Sequence, residues 1–265
     1  QAYGYAAMTG ISDSCEQGVI TQLHQLQQRA ADYMQRADIP GAGDAFFYAQ
    51  QNARLVMNAE QYYRTMFHGR VSSWNLRDHH MAETLDALAE HVQQTRAAPA
   101  KIVVWAHNSH LGDAGATQMH ALGETNLGQL TRQSHPDQTF LLGFSTYGGT
   151  VTAASQWDGP PECKRVLPAL PGSIEHLLHG VREGIFYLPL TADPALEQAL
   201  AERRLERAIG VLYLPETERQ SHYFFASVSR QFDALIHIDT TSAVTPLDAR
   251  QRSGAEPPET FPSGV

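Results

Sequence analysis

The sequence has little of what marks the specialised protein classes. Its 265 residues include two cysteines, Cys15 and Cys163. Neither sits in a CxxC or Cys–His pattern, which argues against a disulfide framework and a structural zinc site. No apolar run reaches the roughly 18 residues that a membrane-spanning helix requires. Basic residues are scarce and scattered. With 19 Lys+Arg against 28 Asp+Glu the net charge is −9, so neither nucleic acid nor an anionic membrane is an expected partner. Charged residues make up 18% of the chain and hydrophobic ones 42%, which excludes general disorder. The opening QAYGYAAM has no initiator Met, basic stretch or long apolar segment, so it does not read as a secretion signal. A cytoplasmic location is expected, and the chain reads as part of a longer protein.

What is present organises into two patterns. At 29.2 kDa, surface scaling lets about 73% of the unfolded chain's area be buried, enough for a core without staples. Up to residue 98 the periodicity is helical, with helices expected at about 15–36, 44–67 and 76–94, the last opening after Asn75. After Pro99 the period shortens. Apolar, β-branched runs at 101–106 (KIVVWA), 139–145, 184–190, 208–214 and 232–238 read as strands covered on both faces. Alternation with helical stretches predicts an α/β fold with a mostly parallel central sheet, flanking helices and an N-terminal helical segment. The expected divisions are a helical portion at 1–98, an α/β portion at 99–248, and a flexible Pro-rich tail at 249–265.

Histidine is the abundant reactive residue, with 13 copies. His107 and His110 form an HxxH pair just past KIVVWA, where ligands bind in open α/β sheets. Converging imidazoles can serve as general acid and base, polarise a carbonyl, or bind metal. Arg77, in WNLRD at the expected start of the third helix, can grip a carboxylate or phosphate. Tyr147, in the glycine-rich GFSTYGGT after a strand, and Glu124, after Gly123, are further candidates for binding substrate. GxxxxGK[ST] and GxSxG are absent, so neither a phosphate loop nor a nucleophile elbow is expected. His176 and His179 read as surface positions of an amphipathic helix, and His222 as core or rim packing.

Three blocks, NARLVMNAEQYYRTMFHGRVSSWNLRDHHMAETL (Asn52–Leu85), KIVVWAHNSHLGDAGATQMHALGETNLGQL (Lys101–Leu130) and GFSTYGGTVTAASQWDGPPECKRVLPALPGS (Gly143–Ser173), resemble the erythromycin esterase family, and Leu205–Asp239 continues the likeness. The resemblance implies an α/β fold and metal-independent ester hydrolysis without a cofactor, by water that a histidine base activates. In the family that base belongs to a Gly-Glu-x-x-His-Gly motif near the first strand. This sequence lacks it, because Gly123-Glu124 continues as Thr125-Asn126-Leu127-Gly128. The resemblance therefore covers a carboxyl-terminal portion, and a missing N-terminal portion is an expected partner. His107 and His110 match the family's second histidine pair.

The leading expectation is a carboxylic ester hydrolase acting on a small molecule, possible substrates including a macrolactone, with His107 and His110 catalytic and Arg77, Glu124 and Tyr147 binding substrate. The competing expectations are a metal-dependent hydrolase, for which no third ligand has recognisable spacing, and a non-catalytic binding module.

Overall fold

In a computed structural model of the chain, residues 42–65, 70–96 and 98–245 are described, together with isolated helical positions at 18, 20, 21 and 25. The expected helix at 15–36 falls almost wholly outside these residues, as does the expected tail. The described residues divide into two compact units, one running to Val104 and the other starting at Trp105.

The first unit is helical. Helix α1 spans Ala42–Thr65 and α2 spans Arg70–Arg96. Cross-contacts show that they run antiparallel. His91 meets Asp44 at 2.8 Å, Arg54 reaches the Glu83 carbonyl at 3.4 Å, and Asn58 meets His80 at 2.7 Å. The partner on α2 falls back from 91 to 83 to 80 as the partner on α1 advances from 44 to 54 to 58. The expected third helix is α2, but it starts at Arg70 and not after Asn75, so Trp74 and Asn75 lie inside it. Asp78 is accordingly not a first-turn residue. It is buried in the third turn.

Among its described residues the second unit has eight short strands in three sheets. In the first, β1 (Leu142–Ser145) runs parallel to β7 (Ala234–Ile238), and β4 (Ile185–Pro189) pairs antiparallel on the other side of β7. In the second, β2 (Gly148–Ala153) lies between antiparallel β3 (Glu162–Val166) and a parallel two-residue β8 (Thr240–Thr241). The third is a hairpin of β5 (Arg204–Arg207) and β6 (Tyr223–Ala226). Gly149 permits the β2–β8 approach. Its φ is +109°, and a Cβ there would stand 2.2 Å from the Thr241 carbonyl oxygen.

The expected mostly parallel sheet is therefore corrected to small mixed sheets, since β4 enters the central sheet antiparallel. Three expected strands occur, at β1, β4 and β7. KIVVWA is not a strand. It belongs to no helix or ladder among the described residues, and Val103 is 92% exposed. The run 208–214 is likewise irregular apart from one bridge, Leu212 to Ala154. His222 holds it there, accepting from Leu214 N–H at 2.9 Å and donating to the Ala208 carbonyl at 3.2 Å. The expectation that His222 packs internally holds.

One face of the β1–β7–β4 sheet carries the main core. Leu141, Leu190, Phe232 and Leu235 pack there against Ile174 and Leu178 of α6 (Ile174–His179), Leu200 of α7 (Pro194–Leu200), and Val228 of α9 (Val228–Gln231). Burying side chains of this size stabilises by roughly 1.5–3 kcal/mol each. The helices α3 (Asn108–Leu111), α4 (Gln118–Ala121), α5 (Leu127–Ser134) and α8 (Glu218–Ser221) complete the unit.

Candidate functional site

The carboxyl-terminal ends of parallel strands β1 and β7 gather the reactive groups of the second unit. His107 is the N-cap of α3, its side chain accepting from Ser109 N–H. That bond is 3.2 Å, and the Ser109 hydroxyl lies 2.9 Å from the same Nδ1. On the other side, Nε2 stands 2.9 Å from the Ile209 carbonyl oxygen. A carbonyl only accepts, so Nε2 carries the proton and Nδ1 is the acceptor. Burial of the ring lowers the His107 pKa, against the Ile209 carbonyl, and the nearby His110 lowers it further. His107 is thus a neutral imidazole with both nitrogens engaged. The His110 backbone N–H bonds the His107 carbonyl at 2.9 Å, one turn on.

Two asparagines fix this turn. Asn108 donates to the Phe144 carbonyl at 2.6 Å and accepts from the Phe144 N–H at 3.1 Å. Its carboxamide occupies the place of a neighbouring strand on the free edge of β1, one residue before Ser145. Asn126, buried, donates to the carbonyls of Ser109 (2.7 Å) and Gly112 (2.6 Å), and accepts from the N–H groups of Ala114 (3.2 Å) and Gln129 (3.0 Å). All four hydrogen-bonding positions of its amide are used. Gly128 lets α5 approach, because a Cβ there would come within 2.1 Å of the Leu111 carbonyl oxygen.

The carboxyl ends of β1 and β7 themselves carry a second group. Ser145 and His237 are register partners, and the serine Oγ is 2.9 Å from His237 Nδ1. His237 is fully buried, and its Nε2 lies 3.4 Å from Asp239 Oδ1. The same oxygen meets His179 Nδ1 at 2.6 Å. His179 stacks on Tyr147 with centroids 3.6 Å apart and an interplanar angle of 4°. Burial lowers the His237 pKa while the Asp239 bond opposes the shift. His176 and His179 are exposed, as expected, but His179 also contacts Tyr147 and Asp239, which the amphipathic pattern did not indicate. On the same helix Leu178 is buried, whereas Leu177 is exposed at 48%.

The Tyr147 loop is held from beneath. The buried Arg207 guanidinium donates to the carbonyls of Thr146 (2.7 Å), Tyr147 (2.8 Å) and Leu167 (2.7 Å), and pairs with buried Glu218 at 3.0 Å. The Tyr213 hydroxyl donates to the same Glu218 oxygen at 2.7 Å. Both terminal nitrogens of Arg207 are thus partnered while its buried Nε is not, and the bonds to Nη1 and Nη2 offset the cost of burying the ion pair.

Of the residues expected from sequence, His107 and His110 belong to the α3 turn tied to β1, and Tyr147 to the loop that follows β1. Glu124 is buried in the turn before α5, its N–H on the Met119 carbonyl at 3.1 Å. Arg77 belongs to the helical unit, where it hydrogen-bonds Tyr62 and lies 5.4 Å above the Trp74 ring. Sequence reasoning gave no role to Asn108, Asn126, Arg207, His237 and Asp239, and named Ser145 only as a hydroxyl donor of the GFSTYGGT loop. Among the described residues no group of three or more His, Cys, Asp or Glu is placed to hold a metal, and no helix is long and apolar enough to cross a membrane.

Solved structures share this fold. A Bacillus cereus protein matches at 19% identity with a TM-score of 0.64, over 86% of this chain and 53% of its own. A succinoglycan biosynthesis protein matches at 19% identity and 0.60, over 91% and 56%. A histidine-to-asparagine variant of the erythromycin esterase EreC, in its open conformation, matches at 18% identity and 0.55, over 89% and 56%. The chain thus spans about half the length of each. The sequence model for erythromycin esterase matches residues 1–241, and the chain belongs to that family.

Proposed function

We propose that this chain supplies part of the active site of a carboxylic ester hydrolase acting on a small molecule, a macrolactone being one ester of that kind. The observation that supports the reading most is the 107–110 turn, pinned by Asn108 to the end of β1. Water adds to the ester carbonyl, and the His110 imidazole donates a hydrogen bond to the oxyanion that develops. His107 is neutral and internally bonded, so its part is to hold the turn that carries His110. The Tyr147 ring offers an aromatic face to the substrate.

His110→Ala in the full-length protein is expected to lower kcat by roughly 10²-fold or more, with a much smaller change in KM, because the lost bond strengthens in the transition state. His107→Ala is expected to cost stability as well as rate. Steady-state hydrolysis of a chromogenic ester checks both, and an unaltered kcat in His110→Ala would remove that residue from the reaction.

A further inference from the structure

We propose that His179 is the general acid of the ester hydrolysis described above, its Nε2 protonating the alkoxide that leaves when the water adduct collapses, with Asp239 as its counter-ion. The inference rests on that reading and adds a proton donor at the leaving group, distinct from the His110 donor at the oxyanion.

The geometry carries it. Asp239 Oδ1 meets His179 Nδ1 at 2.6 Å and His237 Nε2 at 3.4 Å. A carboxylate only accepts, so both nitrogens carry protons. His237 then accepts the Ser145 hydroxyl at Nδ1, 2.9 Å away, and its burial keeps that ring neutral. The Asp239 charge is left to the shorter contact, as counter-ion to a protonated His179, the form in which an imidazole is an acid. Asp239 is clamped through its own backbone. Its N–H donates to the Gly184 carbonyl at 2.7 Å, and its carbonyl accepts from Gly148 N–H at 3.0 Å.

The His179 ring is set by Asp239 at one edge and by the stacked Tyr147 ring on one face. At the opposite edge Nε2 has no hydrogen-bond partner among the described residues, and the side chain is 43% exposed. One short stretch ties this arrangement to the 107–110 turn. Arg207 donates to the Tyr147 carbonyl at 2.8 Å, and two residues on the Ile209 carbonyl accepts from His107 at 2.9 Å. Positions two apart are separated by no more than about 7 Å. Asn108 in turn bonds Phe144, three residues before Tyr147. The turn bearing His110 and the loop against which His179 stacks are therefore anchored to the same two places, the end of β1 and residues 207–209.

In the reaction, water bonds to the ester carbonyl carbon and loses one proton to the base that activates it. When the carbonyl–alkoxy bond breaks, its electron pair goes to the alkoxy oxygen, which takes the proton from His179 Nε2. The products are a carboxylic acid and an alcohol. His179 is left neutral and regains a proton from solvent at its exposed edge, and the base returns the water's proton to solvent.

The test compares two esters of one acid in the full-length protein. Ethoxide needs a proton to leave, whereas p-nitrophenolate is stable as an anion and depends far less on an acid. His179→Gln keeps a donor for Asp239 but has no transferable proton. It is expected to lower kcat for ethyl butyrate by about 100-fold, the scale of a lost general acid. The ratio of kcat on p-nitrophenyl butyrate to kcat on ethyl butyrate is expected to rise at least about tenfold. Equal losses on both esters, the mark of damage to fold or binding, overturn the proposal, as does no loss at all. A wild-type protein that hydrolyses neither ester removes the parent reading and this one with it. One that hydrolyses both, with an unchanged ratio in His179→Gln, removes this one alone.

Discussion

Glu206 and Glu175 are buried carboxyls that act on each other. Burial pushes the Glu206 pKa well above the usual range, and the Glu175 charge pushes it further, against one hydrogen bond from Gln231 at 3.3 Å. Glu175 is raised by burial too, but the Arg207 N–H donates to it at 2.8 Å. A carboxyl whose folded pKa exceeds its unfolded value stabilises below the unfolded value and loses that contribution as pH rises towards the folded one. Glu206→Gln, which keeps the shape and the Gln231 bond, is therefore expected to match wild type near pH 4.5. Above that pH it gains by up to about 1.4 kcal/mol per pH unit until the folded pKa is passed. Urea unfolding at several pH values checks this, and a variant no more stable than wild type at alkaline pH would show Glu206 ionised and compensated. Residue chemistry was legible in part. His107, His110 and Tyr147 stand out because they follow apolar runs. His237 and Asp239 were hidden inside such a run, where FDALIHID reads as a strand before it reads as a His-x-Asp pair on one side of it.

At the scale of elements, the apolar runs that became β1, β4 and β7 were readable because each lies against the core cluster. The glycine- and threonine-rich β2, the polar β3 and the charged β5 carry no such signature. In β5, burial goes to Glu206 and Arg207, residues that hydropathy places outside. The 208–214 run misled for the converse reason: it is apolar, but His222 bonds it into an irregular course. Short elements such as α3 and α5 depend on their caps more than on propensity. Asn126 illustrates this, since it caps α5 and also bonds two carbonyls of the preceding turn. Asn126→Ala removes the cap and strands buried carbonyl and N–H groups. It is expected to destabilise the second unit by about 2–4 kcal/mol, more than a surface cap alone. Asn126→Asp should recover the cap but not the two donated bonds. Thermal unfolding of both variants checks this, and equal losses would mean that the bonds to Ser109 and Gly112 contribute nothing.

Across the whole molecule, the parallel pair β1 and β7 is what the α/β reading captured, whereas the strand-end rule was applied to the 101–106 run, which is no strand. The rest of the predicted sheet was not found, because KIVVWA has the composition of a covered strand without a ladder to join. Its exposure has a consequence for handling the protein. Proteases bind substrates as extended backbone, and residues 99–106, which belong to no helix or ladder, can adopt it, with Trp105 84% exposed. Chymotrypsin, which cuts after aromatic residues, is expected to nick the native chain first at Trp105, ahead of buried Tyr213 and Phe232. Timed digestion read by mass spectrometry would show an early fragment beginning at Ala106, in which the 107–110 turn, Tyr147 and the Ser145–His237 pair remain together on one polypeptide.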